Sequence, residues 1–539
     1  MDIAVPTGIA LLMIIFYMFM FYANSGIIDG STYVALGDDS YISVRYAKNF
    51  YEGNGFTWNA EEAPVEGFTN FLWVLWIAFL MLFSGDPTAL MFFSSAGFHI
   101  AAVVLLYRFL RKKVGSGPVL AALLSMLLAS WKPIHVQVRN GLEGPLLLVL
   151  FMTAMYLILG DKPNPRRMVV GAAIAGLLPL VRPSGLYFTG VLLACFVFEY
   201  VWPERETLVE TIKKWRWVWA GFFAPFLLIT LFRVIYFGDW LPNTYYLKVY
   251  NRPGRIAFGM DYVYRFYKSF YGTPFLIPMF LYFQFKSKPW QRVLAFGMLG
   301  NLVYVAYQGG DAWDNWRFML LFLPVFLVLT ASLFKPEYEK RSPVKFLMIG
   351  IVAVLLFSAK LDMWTMVKTV KNGKLQPRPA KVFRTPSAEN IRLGLLLKAI
   401  CRKDAVVGEF WAGAVPYYSE LTTIDMLGKS DRHIARLPSC KPGARPGHDK
   451  FDFDYVVGLK PDIIISRYKL GAEGAAAAMQ KVKKGFDPAG AVLLANRRFL
   501  KEYKPLESVL SKRWRGIYVR IDSNKYDLTR LEEIERNLL

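Results

Sequence analysis

The stretch FTNFLWVLWIAFLMLFS, residues 68–84, is apolar enough to enter a membrane, and its reading fixes the orientation of the whole chain. If it spans, the loops RFLRKK (108–113), DKPNPRR (161–167), ERETLVETIKKWR (204–216), FKSKPWQR (285–292) and FKPEYEKRSPVK (334–345) all fall outside. If it lies in the outer interface, all of these basic loops fall inside, where Lys and Arg concentrate. Its two tryptophans also suit an interfacial helix. We therefore read 68–84 as interfacial. The spans are then the apolar runs near 5–23, 90–108, 116–134, 144–160, 168–183, 185–202, 217–237, 274–286, 291–308, 318–334 and 344–360, about eleven in all. The run at 5–23 has no basic leader and no small-residue cleavage site, so it reads as a retained first span.

Composition agrees with a polytopic α-helical membrane protein. Of 539 residues 55% are hydrophobic and 16% aromatic, against 19% charged. The net charge of +23 is cytoplasmic anchoring charge with affinity for anionic lipid, since no basic arm tracks along the chain as in nucleic-acid binders. Three cysteines without a CxxC give no metal or redox motif. Cys401 and Cys440 are either a disulfide or two thiols.

This topology divides the chain into a transmembrane domain, 1–360, whose first outer loop covers 24–89, and an outer domain, 361–539. In the latter, the short apolar runs AVVGEF, TTIDM, DIIISR and GIYVRID alternate with helical patterns, which predicts a small α/β domain. The loops 24–67, 135–143, 238–273 and 309–317 share its side. Charged groups at membrane depth are costly and mark function or pairing. Here they collect on that side: Asp38, Asp39, Arg45, Lys48, Glu66, Arg139, Glu143, Arg182, Asp239, Lys248, Asp311, Asp314 and Arg317. Such loops converging over a bundle make a cavity for a substrate with a lipid tail and an anionic head.

Asp38 and Asp39, in GDDSYISVRYAKNFYEGNGFTWN (37–59), are the candidates for a general base. Neighbours on an extended segment point opposite ways, so one faces the cavity and the other caps a helix starting at Ser40. Arg139, Arg182, Lys248 and Arg317 are candidates for an anionic group, guanidinium forks being suited to phosphate oxygens. Glu143 either pairs with one of them or takes part in the site. LPNTYYLK (241–248) adds Asn243, Tyr245 and Tyr246, the tyrosines either stacking on a sugar or standing in the aromatic belt; DAWDNWRF (311–318) adds Asp311. IDMLGKSDRHIAR (424–436) and GHDK (447–450) are either surface segments or a loop reaching back over the cavity. Their His433 and His448 lack metal-ligand spacing.

These motifs, with PVEGFTNFLWVLW, LVRPSG, GGDAWDNWRF and PYYSELTTIDMLGKSDRHIA in order, resemble those of the bacterial arabinofuranosyltransferases, among them the mycobacterial terminal β-1,2-arabinofuranosyltransferases and related pilin-glycosylating enzymes. The resemblance runs from about residue 30 to 470. It implies a GT-C fold in a bacterial inner membrane and a polyprenyl-phosphate sugar donor, with arabinofuranose favoured. It also implies an envelope glycan or glycoprotein acceptor and inverting chemistry at the extracytoplasmic face. It carries the base to Asp38 or Asp39, and Arg182, Lys248 and Arg317 fit its need for cations at a lipid-phosphate leaving group. From their residue types, Asn243, Tyr245, Tyr246, Glu143, Arg139 and Asp311 are placed with them on the donor phosphate and sugar. Arg45, Glu66, Asn70 and His433 are placed on the acceptor side. Some members of the wider fold use a divalent cation; no residue pattern here demands one. A mannosyl- or aminoarabinosyl-type transferase, a lipid-linked glycan flippase and a non-catalytic glycan-binding factor are the competing readings.

Overall fold

The computed structural model describes residues 2–160, 163–204, 207–270, 276–285, 287–334, 383, 385–440, 445–466, 488–508 and 516–539. The expected span 344–360 lies outside the described residues. The chain opens with helix α1 (Ala4–Asn24), a two-stranded hairpin of β1 (Ser25–Ile28) and β2 (Ser31–Val34), and α2 (Asp38–Tyr51). Next come α3 (Phe71–Met81) and α4 (Thr88–Phe109), the latter prolonged by a π-helical turn to Val114. The helices α5 (Pro118–Ala129), α6 (Lys132–Arg139), α7 (Gly144–Ile158), α8 (Pro165–Val181), α9 (Gly185–Phe196) and α10 (Leu208–Phe237) follow. After the short α11 (Asn243–Lys248) come α12 (Arg255–Ser269), α13 (Leu276–Phe285), α14 (Pro289–Gln308) and α15 (Phe322–Ser332).

Among the described residues, four helices are long and apolar enough to cross a membrane: Ala4–Asn24, Thr88–Val114, Gly185–Glu204 and Val209–Phe237. The expected single span at 116–134 is two helices, α5 and α6, bent by 46°. The bend falls at Trp131-Lys132-Pro133, where the ring of Pro133 cannot continue a preceding helix. Helix α3 has 11 residues, a rise of about 16 Å, which is half of a ~30 Å hydrocarbon core. Helices α8 and α10 pack backbone to backbone: a Cβ on Gly176 would stand 2.4 Å from the Gly221 carbonyl oxygen, so only small residues allow the approach.

The C-terminal part is an α/β unit. Helix α16 (Pro386–Ile400) leads to β3 (Val406–Glu409), α17 (Ala414–Ser419), β4 (Thr422–Asp425), α18 (Arg432–Arg436), α19 (Phe453–Gly458) and β5 (Ile463–Ser466). Then come α20 (Pro488–Leu494), α21 (Arg497–Glu502), β6 (Tyr503–Pro505), β7 (Gly516–Arg520) and α22 (Leu531–Leu538). The five strands lie in the order β4-β3-β5-β7-β6, the first three parallel and the last two antiparallel to their neighbours. Central β5 is buried on both faces, as a covered parallel sheet requires. Alternation splits its side chains: Ile463 and Ile465, with Val407, Ile517 and Val519, join the core shared with the bundle, while Ile464 and Tyr518 join a second cluster around Phe453 and Phe499. Among the described residues no disulfide joins Cys401 to Cys440.

Candidate active site

Both aspartates stand in the first turn of α2, whose cap is Gly37. The expectation of an extended Asp pair with a helix beginning at Ser40 is therefore corrected: the helix begins two residues earlier, and neither carboxylate caps it. Successive helical residues diverge by about 100°, so the two side chains still part company. Asp38 turns to the C-terminal unit, accepting from Asn390 Nδ2 at 2.7 Å and from the Ala414 amide at 3.1 Å. Asp39 turns into a cavity of about 600 Å³. Its side chain keeps 44% exposure, with Lys429 Nζ at 2.8 Å and Arg317 Nη1 at 3.7 Å. The ammonium of Lys429, then the guanidinium of Arg317, holds the Asp39 carboxyl well below the usual carboxylate range against the opposing effect of burial.

The cavity has a polar end and an apolar one. Pro179, Leu186, Phe226 and Ile229 come from the bundle helices α8, α9 and α10, whereas Asp39, Glu143, Arg182, Arg233, Tyr245, Lys248, Asp311, Arg317, Lys429 and His448 bring charge and hydrogen-bonding groups. Each carboxylate is matched to a cation. Arg317 forks onto Asp311 through Nε and Nη2, both at 2.6 Å. Glu143 faces Arg182 at 3.3 Å and accepts from Asn70 Nδ2 at 3.1 Å. Two cations keep unused hydrogen-bonding capacity among the described residues. Arg182 sits over the Phe318 ring at 4.9 Å, and its buried Nη1 faces Glu143 without making a hydrogen bond. Lys248 has no carboxylate or hydrogen-bond acceptor at Nζ among the described residues, and burial, then Arg317 and Lys429, bring its ammonium down to about 8. Gln308 Oε1 is a third unpartnered group of this wall, its amide donating to Tyr304 Oη at 2.6 Å.

Of the residues singled out in the sequence, Asp39, Glu143, Arg182, Tyr245, Lys248, Asp311, Arg317 and His448 meet in this cavity. The others do not line it. Arg139 is exposed at the end of α6. Arg45 is buried and donates to the carbonyls of Trp58, Pro416 and Leu421 and to Asn59, which makes it a tie between the first loop and the C-terminal unit. Asn243 donates to the carbonyls of Gly428, Lys429 and Asp431. Tyr246 lies under Arg436 at 4.3 Å, and Glu66 takes a fork from Arg233. Asn70 supports Glu143 from behind, and His433 bonds Asp452 at 2.9 Å outside the cavity.

The segments around 429 and 446–448 do reach over the cavity. Lys429 and Arg233 were not singled out by sequence reasoning. A charge inside the apolar run FLLITLFRVIYF is a signal that could have found Arg233. Nothing local marks Lys429, whose partner is 390 residues away. Among the described residues no group of three or more His, Cys, Asp or Glu side chains could hold a metal ion.

The fold has known counterparts. The structure of ArnT from Cupriavidus metallidurans bound to undecaprenyl phosphate matches with a TM-score of 0.55 at 10% identity, over 96% of this chain and 99% of that one. Its apo form gives 0.54 at 11% identity, over 95% and 98%. The oligosaccharyltransferase AglB from Archaeoglobus fulgidus, in complex with an inhibitory peptide and a dolichol-phosphate, gives 0.50 at 11% identity, over 93% and 72%. The chain thus has the GT-C fold. Residues 382–520 match a family described as a domain of unknown function, DUF8728. Among curated proteins none matches this chain.

Proposed function

We propose that this chain is a membrane glycosyltransferase that moves a sugar from a polyprenyl-phosphate donor to a hydroxyl of an envelope glycan or glycoprotein, with Asp39 as general base. One observation carries the reading: a cavity with an apolar end holds an accessible carboxylate, Asp39, together with two cations that have hydrogen-bonding capacity to spare among the described residues, Lys248 and Arg182, the latter facing Glu143 at 3.3 Å without a hydrogen bond at Nη1. An anionic head satisfies those cations, and a lipid tail follows the apolar wall of Leu186, Phe226 and Ile229. Solved neighbours of the same fold hold undecaprenyl phosphate or dolichol-phosphate, which supports this donor class.

In the reaction the acceptor oxygen attacks the anomeric carbon as the bond from that carbon to the phosphate oxygen breaks. The bonding pair leaves with the lipid phosphate, and the anomeric centre inverts. The acceptor proton passes to the Asp39 carboxylate, which later releases it to water. Charge grows on the departing phosphate, where Arg182, Lys248 and Arg317 stabilise it. No acid is needed at the leaving group. Arabinofuranose as the sugar rests on the sequence motifs, with mannosyl and aminoarabinosyl donors as the alternatives. The active site and the unit formed by 361–539 are taken to face the extracytoplasmic side, from the distribution of basic loops.

The test is transfer from synthetic polyprenyl-phosphoryl arabinofuranose, mannose and aminoarabinose by the full chain in detergent. We expect turnover with one donor and inversion at its anomeric carbon. Asp39→Asn should cut kcat by about 10²–10⁴-fold. Undiminished turnover in Asp39→Asn would remove the base assignment, and no transfer or binding with any of these donors would remove the function.

A further inference from the structure

The sheet of the C-terminal unit presents the carboxyl ends of two adjacent parallel strands to the two aspartates of α2. The chain leaving β3 passes through Trp411 and Gly413 to Ala414, whose amide binds Asp38. The fit there is tight: a Cβ on Gly413 would stand 2.3 Å from Asp38 Oδ2. The chain leaving β4 forms the turn 426–431 and delivers Lys429 to Asp39 at 2.8 Å. Asp425, the last residue of β4, holds that turn by accepting from the Leu427 amide at 3.1 Å and the Ser430 amide at 2.8 Å. Gly428, at φ +79°, allows the chain to double back. From the bundle side Asn243 binds the carbonyls of residues 428, 429 and 431, so the backbone of Lys429 is fixed from both directions. Crevices beyond the carboxyl ends of parallel strands are where open α/β sheets bring residues to a site.

We infer that the unit of unknown function spanning 382–520 is a working part of this active site: its β3 loop anchors Asp38, and its β4 loop supplies Lys429 as the residue that positions the Asp39 carboxylate. This rests on the proposed role of Asp39 and adds a role for the domain. Lys429 touches the base and acts through it, with no contact to the substrate required. The charged groups facing Asp39 are Lys429 from the β4 loop, Arg317 from the 310–318 loop and Lys248 from α11; Glu143, Asp311 and Arg182 line the same cavity. Lys429 is the nearest of the cations and the strongest in holding the carboxyl ionised. A carboxylate gripped by a fixed ammonium keeps one rotamer and one protonation state as acceptors come and go.

The test compares Lys429→Met, Lys429→Arg and Asn243→Ala in the full chain, using the sugar donor turned over in the assay above. Lys429→Met should lower kcat at least tenfold with little change in donor KM. The acid limb of its pH–rate profile should move to higher pH, because the carboxyl has lost its main cation. Lys429→Arg should restore the limb, and Asn243→Ala, which loosens the turn without removing charge, should lower kcat less. A readout independent of turnover is carbodiimide labelling of Asp39 followed by peptide mass spectrometry, whose midpoint should rise in Lys429→Met. An unmoved limb and an unmoved labelling midpoint in folded Lys429→Met overturn the inference, even with Asp39→Asn inactive. A raised donor KM with an unmoved limb also overturns it, making Lys429 a donor ligand. Full activity in Asp39→Asn instead overturns the base assignment itself, so the two failures are told apart.

Discussion

Lys248 and Lys450 lie on opposite sides of the junction between the bundle and the C-terminal unit, and burial brings both ammonium groups down to about 8. They differ in what they hold. Lys450 gives its three protons to the carbonyls of Tyr246, Tyr250 and Ala435, at 2.7, 2.9 and 2.9 Å. Lys248, with Gly447 packed against its stem, gives its Nζ protons to no acceptor among the described residues. The same contrast separates whole regions. In the seam, Arg45, Asn243 and Lys450 bind backbone carbonyls, and Arg252 is paired with Asp449 at 2.8 Å with both side chains 1% exposed. In the cavity, cations meet side-chain carboxylates or, in the case of Lys248, no acceptor among the described residues. Carbonyl acceptors cannot move away or be exchanged, so they fix two units together; carboxylates and empty space leave room for an incoming anion. Burial alone marks neither role: the seam cations are held by backbone carbonyls or, for Arg252, by the equally buried Asp449, whereas Lys248 in the cavity meets no acceptor among the described residues.

The sharpest way to break this contrast is to remove one cation from each region. Arg252→Met strands the Asp449 charge in the seam and should cost about 3–5 kcal/mol, the range for breaking a buried pair. Thermal unfolding in detergent reads this as a large loss, and Asp449→Leu on top of Arg252→Met should recover part of it. Lys248→Met should behave oppositely. It deletes a desolvated charge that has no acceptor among the described residues, so stability should hold or rise. Donor KM should increase about 10–100-fold, or roughly 1.4–2.7 kcal/mol of lost anion binding. A stable seam in Arg252→Met, or an unchanged donor KM in Lys248→Met, would erase the distinction.

Acidity gives a smaller effect with a defined sign. The folded protein holds Lys248 down to about 8, below the ordinary lysine value, so the protonated, anion-binding form is lost as pH rises through about 8. Donor affinity should therefore fall by about tenfold for each unit above that point until the bound phosphate's own stabilisation of the ammonium is exhausted. In Lys248→Met this alkaline loss should vanish. Donor titrations between pH 6 and 10 on both proteins decide it. A wild-type profile that stays flat across pH 8 would show that Lys248 does not meet the anion.

Much of this arrangement was legible in the sequence because it is written locally. Apolar runs give the helices, and Glu143, Arg182, Asp311 and Arg317 betray themselves as charges at membrane depth in a chain with few to spare. The bend between α5 and α6 was hidden because the run through Trp131-Lys132-Pro133 stays apolar enough, taken whole, to pass for one span. The division of labour between Asp38 and Asp39 was not legible at all. It follows from a one-residue step around a helix and from which strand end lies opposite, Gly413 in one case and Lys429 in the other. The same is true of Arg45 and Asn243. Their types suited a polar ligand, yet their acceptors include carbonyls at residues 416 and 421 for Arg45 and 428, 429 and 431 for Asn243, contacts that only the assembled fold creates.

The smallest expected effect tests whether accessibility, and not merely membership of the junction, sets the energetic weight of a cation. Lys48 bridges the same two units as Arg45, pairing with Glu420 at 2.5 Å, but the side chains are 25% and 45% exposed. Lys398 also reaches Glu420, at 2.7 Å, so the carboxylate keeps a partner if one lysine is lost. Lys48→Met should therefore change stability by less than about 1 kcal/mol, and less still at high salt, where exposed pairs are screened. Arg45→Met, in the buried part of the same seam, leaves three carbonyl acceptors and Asn59 without their donor and should cost several times more, with no relief from salt. Unfolding of the two variants at 0.05 and 0.5 M salt compares them directly. Equal losses would mean that the junction is held by net charge across its surface, and that the carbonyl-bound cations have no special hold on it.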